Sequence, residues 1–329
     1  MATGWNDPEL QEISERLRSG DATVRRLALL DLGEIADDTH VPLLAGALGD
    51  PDAEVRVEAA RALQAFESDT AVAALIGRLE DNDVRVRDAA ADSLSELKQP
   101  RLAPLLLPYA TCSPPLVRSA ILRALRELRV PEAIQPALEA LHDDNIAVRR
   151  EAVGVLGYLK PYQALPSLVA AAGGDPAPEV RRAAIGALGF TADACVLPAL
   201  LAGVHDLAWQ VREEAAKVIG KLKLVQAEHA LIETLCDDYW QVRLQAARSL
   251  GRLRSAASVS ALVKVLGHEI GNLRKEAALA LGEIGAVAAS PALEQMRDDS
   301  DPEVRKAVRL ALAQIGAKQD DAATGNPAQ

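Results

Sequence analysis

The chain has 329 residues and a formal net charge of −11, with 49% hydrophobic but only 3% aromatic residues. This charge argues against a general affinity for nucleic-acid backbones, which bind basic surfaces. A core built from Ala, Leu, Val and Ile is typical of thin helical layers, and the 18 Pro and 21 Gly then separate short helices.

The chain opens with MATGWNDPELQEISERL, in which Asp7-Pro8 predicts the start of a first helix whose Glu and Arg residues suit a polar cap. No basic segment is followed by an apolar run there, and no window approaches the ~18 apolar residues that a membrane span requires. We therefore expect a cytoplasmic protein that does not enter a membrane.

A Val-Arg pair then recurs every 31 residues, with one step of 32 after Gly173-Gly174 and Leu in place of Val once. Apolar residues follow each anchor four and eight positions on, which places one apolar stripe on a helix of three to four turns. A second apolar segment precedes each anchor and ends in a polar turn. The anchors of these ten helix-turn-helix repeats are Val24, Val55, Val86, Val117, Val148, Val180, Val211, Val242, Leu273 and Val304.

Neither helix of such a short unit can bury its stripe alone, so the repeats must stack. The sequence predicts an all-α fold, an α-solenoid superhelix, formed by one array over residues 1–316. Ten layers about 8–10 Å apart would give an arc on the order of 100 Å long. The final residues, 317–329, include KQDDAATGNPAQ and are predicted to be a disordered tail.

An Asp lies five residues before the anchor in most repeats. We expect it to cap the second helix and to pair with the anchor's Arg from an adjacent layer, as a structural ladder rather than an anion-binding track. These residues are Asp50, Asp81, Asp143, Asp175, Asp206, Asp237 and Asp299.

No catalytic constellation is evident. Cys112, Cys195 and Cys236 show no CxxC spacing, so we expect three buried thiols rather than a disulfide or a zinc site. The five His residues are scattered, and neither an HExxH motif nor a phosphate-binding loop occurs. The sequence predicts no catalytic residue and no metal site, which favours a protein that is not an enzyme.

The repeats VRREAVGVLGYL, VREEAAKVIGKL and VRLQAARSLGRL, each preceded by a turn Asp, resemble HEAT repeats of the phycobilisome-lyase type. The resemblance covers roughly residues 8–316 and implies that the second helices line a concave surface. That family includes subunits of enzymes that attach linear tetrapyrroles to phycobiliproteins, deoxyhypusine hydroxylase, and scaffolds without known chemistry. The hydroxylase builds a di-iron site from several His-Glu dipeptides, whereas this chain has one, His268-Glu269. An oxidoreductase of that kind is therefore the least supported reading.

Large side chains at outward positions concentrate in repeats five to eight. Trp209 and Trp240 occupy the same position in consecutive repeats, and Gly154 and Gly186 are expected to leave open space beneath two other aromatic rings. Basic residues follow on the same helices. The predicted partner-binding residues are Ile146, Tyr158, Phe190, Trp209, Lys217, Lys221, Tyr239, Trp240, Leu244, Arg248 and Arg252. The alternative is that the Trp pair packs between turns and the bases pair with Glu213 and Glu214.

Three functions follow from these observations. The first is a non-enzymatic scaffold or adaptor, monomeric by itself, that holds a helical or extended segment of another protein in its concave groove. The second is a bilin-lyase-like or cofactor-handling chaperone subunit, for which bilin or another tetrapyrrole would be the ligand. The third, nucleic-acid binding, is disfavoured by the net charge, although the bases between Lys217 and Arg252 form a local exception.

Overall fold

The computed structural model describes residues 8–191, 193 and 195–324. Within these ranges the chain forms 21 α-helices and no strand, in two compact units that meet between Pro161 and Tyr162. The first unit contains five repeats. Its helices are α1 (Pro8–Arg16), α2 (Ala22–Ile35), α3 (Val41–Ala47), α4 (Ala53–Leu63), α5 (Asp69–Ile76), α6 (Val84–Ser95), α7 (Ala103–Leu106), α8 (Tyr109–Cys112), α9 (Pro115–Leu128), α10 (Ile134–Ala140) and α11 (Ile146–Leu159).

The second unit contains the other five repeats. Its helices are α12 (Leu165–Gly174), α13 (Pro178–Leu188), α14 (Val196–Gly203), α15 (Trp209–Leu222), α16 (Glu228–Thr234), α17 (Trp240–Leu253), α18 (Val259–Val265), α19 (Gly271–Ile284), α20 (Ser290–Gln295) and α21 (Pro302–Thr324). Each anchor lies in the longer, second helix of its repeat, as predicted. Stacked helical pairs in both units confirm the all-α solenoid.

The predicted stripe forms the core of both units. In α17, for example, Val242, Ala246 and Leu250 are fully buried, and the corresponding residues of α15 and α19 are buried in the same way. One deviation lies in the fourth repeat, whose first helix is divided into α7 and α8. Pro108 stands between them and has no N–H to donate, so a continuous helix would lose a backbone hydrogen bond there.

The Arg-Asp ladder is present in the turns of both units. In each rung the guanidinium of one repeat binds the carboxylate of the next, at 2.6–2.9 Å, while also donating to a backbone carbonyl of its own turn, as Arg212 does to Asp206. The Arg212 side chain is 14% exposed and that of Asp237 is 9% exposed, so each rung is largely screened from water. Rungs of this kind include Arg25–Asp50, Arg56–Asp81, Arg118–Asp143, Arg181–Asp206, Arg212–Asp237 and Arg274–Asp299.

The capping role predicted for the ladder Asp was wrong in detail. The side chain of Asp50 accepts from the backbone N–H of Asp52, two residues on, which shapes the turn. The helix cap is Asp52, whose carboxylate accepts from the first N–H groups of α4. Asp83 and Asn145 cap α6 and α11 in the same way. In these repeats of the first unit, one acidic residue therefore links repeats and a second polar residue caps the helix, whereas α15, α17 and α19 begin without a side-chain cap.

Glycine sets how closely consecutive second helices approach in the second unit. A Cβ on Gly251 would lie 2.9 Å from Cα of Ala280, and one on Gly282 would lie 2.7 Å from Cα of Ala311. These distances are shorter than any real Cβ contact, so only glycine permits this packing. The Ala-Leu-Gly pattern of the repeats thus reflects helix-to-helix contact.

The last helix extends beyond the predicted end of the array. It continues from Pro302 to Thr324, whereas the sequence predicted a disordered tail from residue 317. No Pro or Gly interrupts residues 317–324, and Nζ of Lys318 donates to the backbone oxygen of Glu283 at 2.7 Å, which holds the helix against α19. Residues 325–329 of that predicted tail lie outside the described residues. Across the part of the chain that the structure describes, no helix is both long and apolar enough to span a membrane.

Candidate partner-binding site

An aromatic surface forms where α15 and α17 begin. Trp209 is the first residue of α15, and Tyr239 immediately precedes Trp240, the first residue of α17. The rings of Trp209 and Tyr239 stack with centroids 5.4 Å apart and planes inclined by 14°. We call Trp209, Tyr239 and Trp240 the aromatic ledge. The sequence placed the two Trp residues on neighbouring layers, but the ring that stacks on Trp209 is that of Tyr239.

The ladder fixes the position of this ledge. The guanidinium carbon of Arg212 lies 5.7 Å from the centroid of the Tyr239 ring, while the same group binds Asp237. Burial alone would raise the pKa of Asp237, but its bonds with Arg212 and with the Tyr239 N–H outweigh burial and lower that pKa. The rung therefore stays ionised at neutral pH and holds the turn that carries Tyr239 and Trp240.

Part of the ledge is open to solvent. Tyr239 is 45% exposed and Trp240 is 36% exposed, whereas Trp209, which stacks on Tyr239, is half-buried. Leu207, in the turn before α15, is 98% exposed. The sequence-based prediction missed Leu207, although the signal was present: the other repeats carry a polar residue, Pro or Gly at the same turn position. The ledge and Leu207 are large apolar groups that this unit leaves uncovered.

The predicted basic residues divide into two kinds. Lys217 pairs with Glu214 at 3.0 Å, and Arg248 makes two 2.9 Å bonds with the buried carboxylate of Glu276. Both cations are therefore bound by carboxylates of the protein, contrary to the expectation that they face a ligand. Lys217 reaches a carboxylate on its own helix, and Arg248 reaches one on the next second helix. The alternative prediction was right for Glu214 and wrong for Glu213.

Lys221 and Arg252 are different. Both side chains are exposed at the carboxyl ends of α15 and α17, and neither forms an ion pair with any residue that the structure describes. Basic residues in the last turn of a helix interact favourably with its dipole, so their position needs no ligand for stability. They nonetheless remain available to an anionic group.

Two other predicted residues in the second unit contribute less than expected. Phe190 and Leu244 are half-buried rather than open. The prediction of empty space at Gly186 was wrong, because a Cβ there would meet Oε1 of Glu214 at 3.2 Å. The Glu214 side chain from the next repeat fills that space.

The remaining predicted residues lie in the first unit. Ile146 is 50% exposed at the start of α11, and Tyr158 is 39% exposed near its end. The guanidinium carbon of Arg129 lies 4.9 Å from the centroid of the Tyr158 ring. The space predicted at Gly154 is taken by the side chain of Arg126, at 3.3 Å from a Cβ built there. The Arg side chains of α9 thus cover part of this surface.

Nucleophiles and metal ligands show no organised cluster. Among the residues described, no group of three or more His, Cys, Asp or Glu is placed to hold a metal ion. The ring nitrogens of His268, of the single His-Glu pair, lie 3.1 Å from Arg243 and from the backbone nitrogen of Ile270. The expectation of buried thiols was wrong for Cys195 and Cys236, which are exposed because they lie at a helix start and in a polar turn. The Cys112 side chain lies outside the description.

Known structures share this architecture. An engineered protein matches with a TM-score of 0.51 at 20% identity, over 94% of this chain and 99% of its own. The Escherichia coli protein YibA matches with a TM-score of 0.56 at 21% identity, over 91% and 98%. Kap95, in its complex with Nup1, gives a TM-score of 0.64 at 16% identity over 93% of this chain. The match spans only 50% of Kap95, and identities this low show the fold alone.

No curated protein matches this sequence. The family model of HEAT repeats, by contrast, matches residues 10–95, 43–126, 76–146, 134–220 and 228–313, which together cover most of the chain. With ten stacked helical pairs and an Arg-Asp ladder already evident, the chain belongs to the HEAT-repeat family.

Proposed function

We propose that this protein is a non-enzymatic scaffold that binds a segment of another protein along the second helices of its second unit. The aromatic ledge is the observation that carries the proposal. In a chain with only three Trp and four Tyr, Trp240 and Tyr239 are left open next to a third ring. Aromatic side chains that are rigidly held and partly exposed are favoured anchors in protein interfaces.

Two further features support a protein partner. Leu207 adds an uncovered aliphatic group to the turn beside the ledge. The solved structures with this architecture include Kap95 in complex with Nup1 and Kap121 bound to Nup53, so solenoids of this type do hold other proteins. Repeat arrays present extended surfaces, to which a helical or extended segment is well matched.

The test begins with affinity capture of a partner from the source cells, followed by titration calorimetry with the purified partner. We expect the Tyr239→Ala/Trp240→Ala double variant to weaken binding by about 2 kcal/mol or more, which is the usual contribution of aromatic anchors. Because the stack of Tyr239 on Trp209 contributes only about 1 kcal/mol, the melting temperature should fall by no more than a few degrees and the variant should remain folded.

Tyr109→Ala is the matched control, because Tyr109 is also an exposed aromatic residue, 41% exposed, but lies in the first unit. It should bind the partner as wild type does. Equal affinity of the folded ledge variant and wild type would refute the ledge as the binding surface.

A tetrapyrrole-handling role of the phycobilisome-lyase type is the second candidate, and the rings of the ledge together with the unpaired Lys221 and Arg252 on the same helices favour it. Bilin added to the purified protein would then give a shifted visible absorbance that the ledge variant lacks. An unchanged bilin spectrum would eliminate this role and leave the scaffold proposal intact.

We further propose that the protein works as a cytoplasmic monomer. Two exposed thiols, Cys195 and Cys236, fit a reducing compartment. Light scattering on the purified protein should give a mass near 34.9 kDa, and a doubled mass would contradict the monomer.

A further inference from the structure

A groove crosses four consecutive second helices of the second unit, past the carboxyl ends of α15, α17 and α19 and along residues 314–318 of α21. It has a volume of about 920 Å³ and is lined by residues of α17, α19 and α21 and of the segment after α15. We call this the basic groove and define it by Lys223, Arg252, Arg254 and Lys318, its four cationic side chains. Glu283 is the one acidic side chain in the lining.

Only one of these four cations, Lys318, forms a side-chain hydrogen bond with another described residue. Lys318 donates to the backbone oxygen of Glu283 and thereby satisfies a carbonyl at the end of α19. Lys223, Arg252 and Arg254 are exposed and form neither an ion pair nor a side-chain hydrogen bond with any other described residue. The groove thus holds three cations whose charge is not offset by a partner.

This arrangement contrasts with the rest of the protein. The chain carries 47 acidic and 36 basic residues, and ladder arginines such as Arg212 and Arg274 bind a carboxylate, while Arg243 binds an imidazole. The groove concentrates positive charge instead. Desolvation, with added repulsion from Arg254, lowers the pKa of Lys318. An anion bound between these groups would offset that crowding.

The occupant that best fits is an acidic stretch of protein. The lining also contains Val225, which is 61% exposed, and Leu253, so apolar contacts accompany the charges. It contains no aromatic ring on which a nucleic-acid base could stack, whereas Val225 and Leu253 can contact the side chains of a peptide. Four neighbouring helices about 8–10 Å apart span roughly 25–30 Å, the length of about eight residues of extended chain.

We propose that the basic groove binds an extended acidic peptide segment of the partner protein, through Lys223, Arg252 and Arg254. This inference rests on the proposed function in partner binding and names the chemistry of the segment that is held. Helix α17 is 14 residues and hence about 21 Å long, with Trp240 at its start and Arg252 near its end. The ledge and the groove can therefore be tested separately.

The probe is a fluorescently labelled peptide of about eight glutamates, whose binding to the full-length protein is followed by anisotropy at low and moderate salt. We expect saturable binding that weakens as salt screens the charges. Arg252→Gln/Arg254→Gln should weaken it roughly tenfold, because two charge contacts are lost.

Lys264→Gln/Lys306→Gln is the matched control, since it removes the same net charge from exposed sites on α18 and α21 outside the groove. It should leave the affinity within about twofold of wild type. The Tyr239→Ala/Trp240→Ala variant should also bind the peptide normally. Loss of partner capture in that variant, with peptide binding kept, would separate the two surfaces.

Three results would overturn the inference. One is a wild-type protein that does not bind the peptide at low salt, and another is equal weakening by the groove and control variants. The third is tighter binding of a single-stranded oligonucleotide than of the peptide, which would assign the groove to nucleic acid. None of these results would affect the aromatic ledge, which is tested by its own variant.

Discussion

Arg243 donates to Nε2 of His268 at 3.1 Å, in the position where the neighbouring rungs pair Arg with Asp. The other ring nitrogen, Nδ1, faces the backbone N–H of Ile270, also at 3.1 Å. A neutral imidazole has one acceptor nitrogen, so it can accept only one of these two donors. This rung therefore lacks both the ionic bond and the full hydrogen bonding of its neighbours.

We predict that His268→Asp stabilises the protein. The carboxylate would accept from both Arg243 and Ile270, as Asp299 does from Arg274 and Asp301. Bonds between charged groups of this kind contribute about 1–3 kcal/mol, so a rise in melting temperature of at least about 2 °C is expected. Thermal unfolding followed by circular dichroism measures it.

His205→Asp serves as the control, because it makes the same substitution at an exposed turn residue beside Asp206. No gain is expected there, since His205, unlike His268, forms no hydrogen bond with an Arg among the residues described. A His268→Asp variant that melts at or below the wild-type temperature would show that the imidazole already satisfies the rung.

The ladder predicts how stability depends on pH. Two bonds from Arg181 hold the pKa of Asp206 below its usual 3.8, and the N–H of Ala208 adds to the effect. A pKa that is lower in the folded state contributes stability above the unfolded value and loses it as the pH falls through the folded value. Asp81 and Asp299 behave in the same way.

The free energy of unfolding, measured with urea, should therefore be nearly constant from about pH 7 to 5 and should fall progressively below about pH 4. Asp206→Asn should lower the free energy of unfolding by about 2 kcal/mol at neutral pH and reduce this acid dependence. An Asn variant with the same acid dependence as wild type would mean that other carboxylates control it.

The ring stack yields a third prediction. Trp209 joins the start of α15 to the turn before α17 through Tyr239, so the two residues should be coupled energetically. A double-mutant cycle of Trp209→Ala and Tyr239→Ala should give a coupling of about 1 kcal/mol. Trp209→Ala combined with Tyr162→Ala should be additive, because Tyr162 bonds Asp193 in another repeat. Additive effects in both cycles would show that the stack of Trp209 on Tyr239 contributes no coupling energy.

Periodicity explains why the fold was predictable from the sequence. The anchor, stripe and turn Asp recur in one register, so each repeat reports the same local structure and the same link to its neighbour. Arg212 and Asp237 are 25 residues apart, yet their pairing follows from that register. The turn Asp of one repeat could be assigned to the Arg of another without coordinates.

The candidate site was less predictable, because it depends on side chains that cross between layers. The space at Gly186 is filled by Glu214, and Arg248 is bound by Glu276. Both Glu residues stand three positions after their anchors, a position to which the predicted anchor, stripe and turn Asp assign no role. The basic groove combines residues far apart in sequence, such as Arg254 and Lys318. The repeat register placed aromatic residues at the ledge, but only packing decides which ring is open.

Glycine packing supports the last prediction. A Cβ on Gly220 would lie 2.5 Å from Cβ and 2.8 Å from Cα of Ser249, whose hydroxyl donates to the backbone oxygen of Ala216 at 2.7 Å. Gly220→Ala must therefore push α17 away from α15. Overpacking of this kind destabilises by about 1–3 kcal/mol, which urea unfolding would measure.

Gly173→Ala is the matched control, because Gly173 is also helical but has nothing within 4 Å of the added methyl group. There the substitution should stabilise by about 0.5–1 kcal/mol, since alanine favours the helix and restricts the unfolded chain. Opposite signs at the two glycines would show that close approach, not helix propensity, accounts for Gly220. A neutral or stabilising Gly220→Ala would mean that α15 and α17 can separate without loss, and the contact would then not determine the spacing of the repeats.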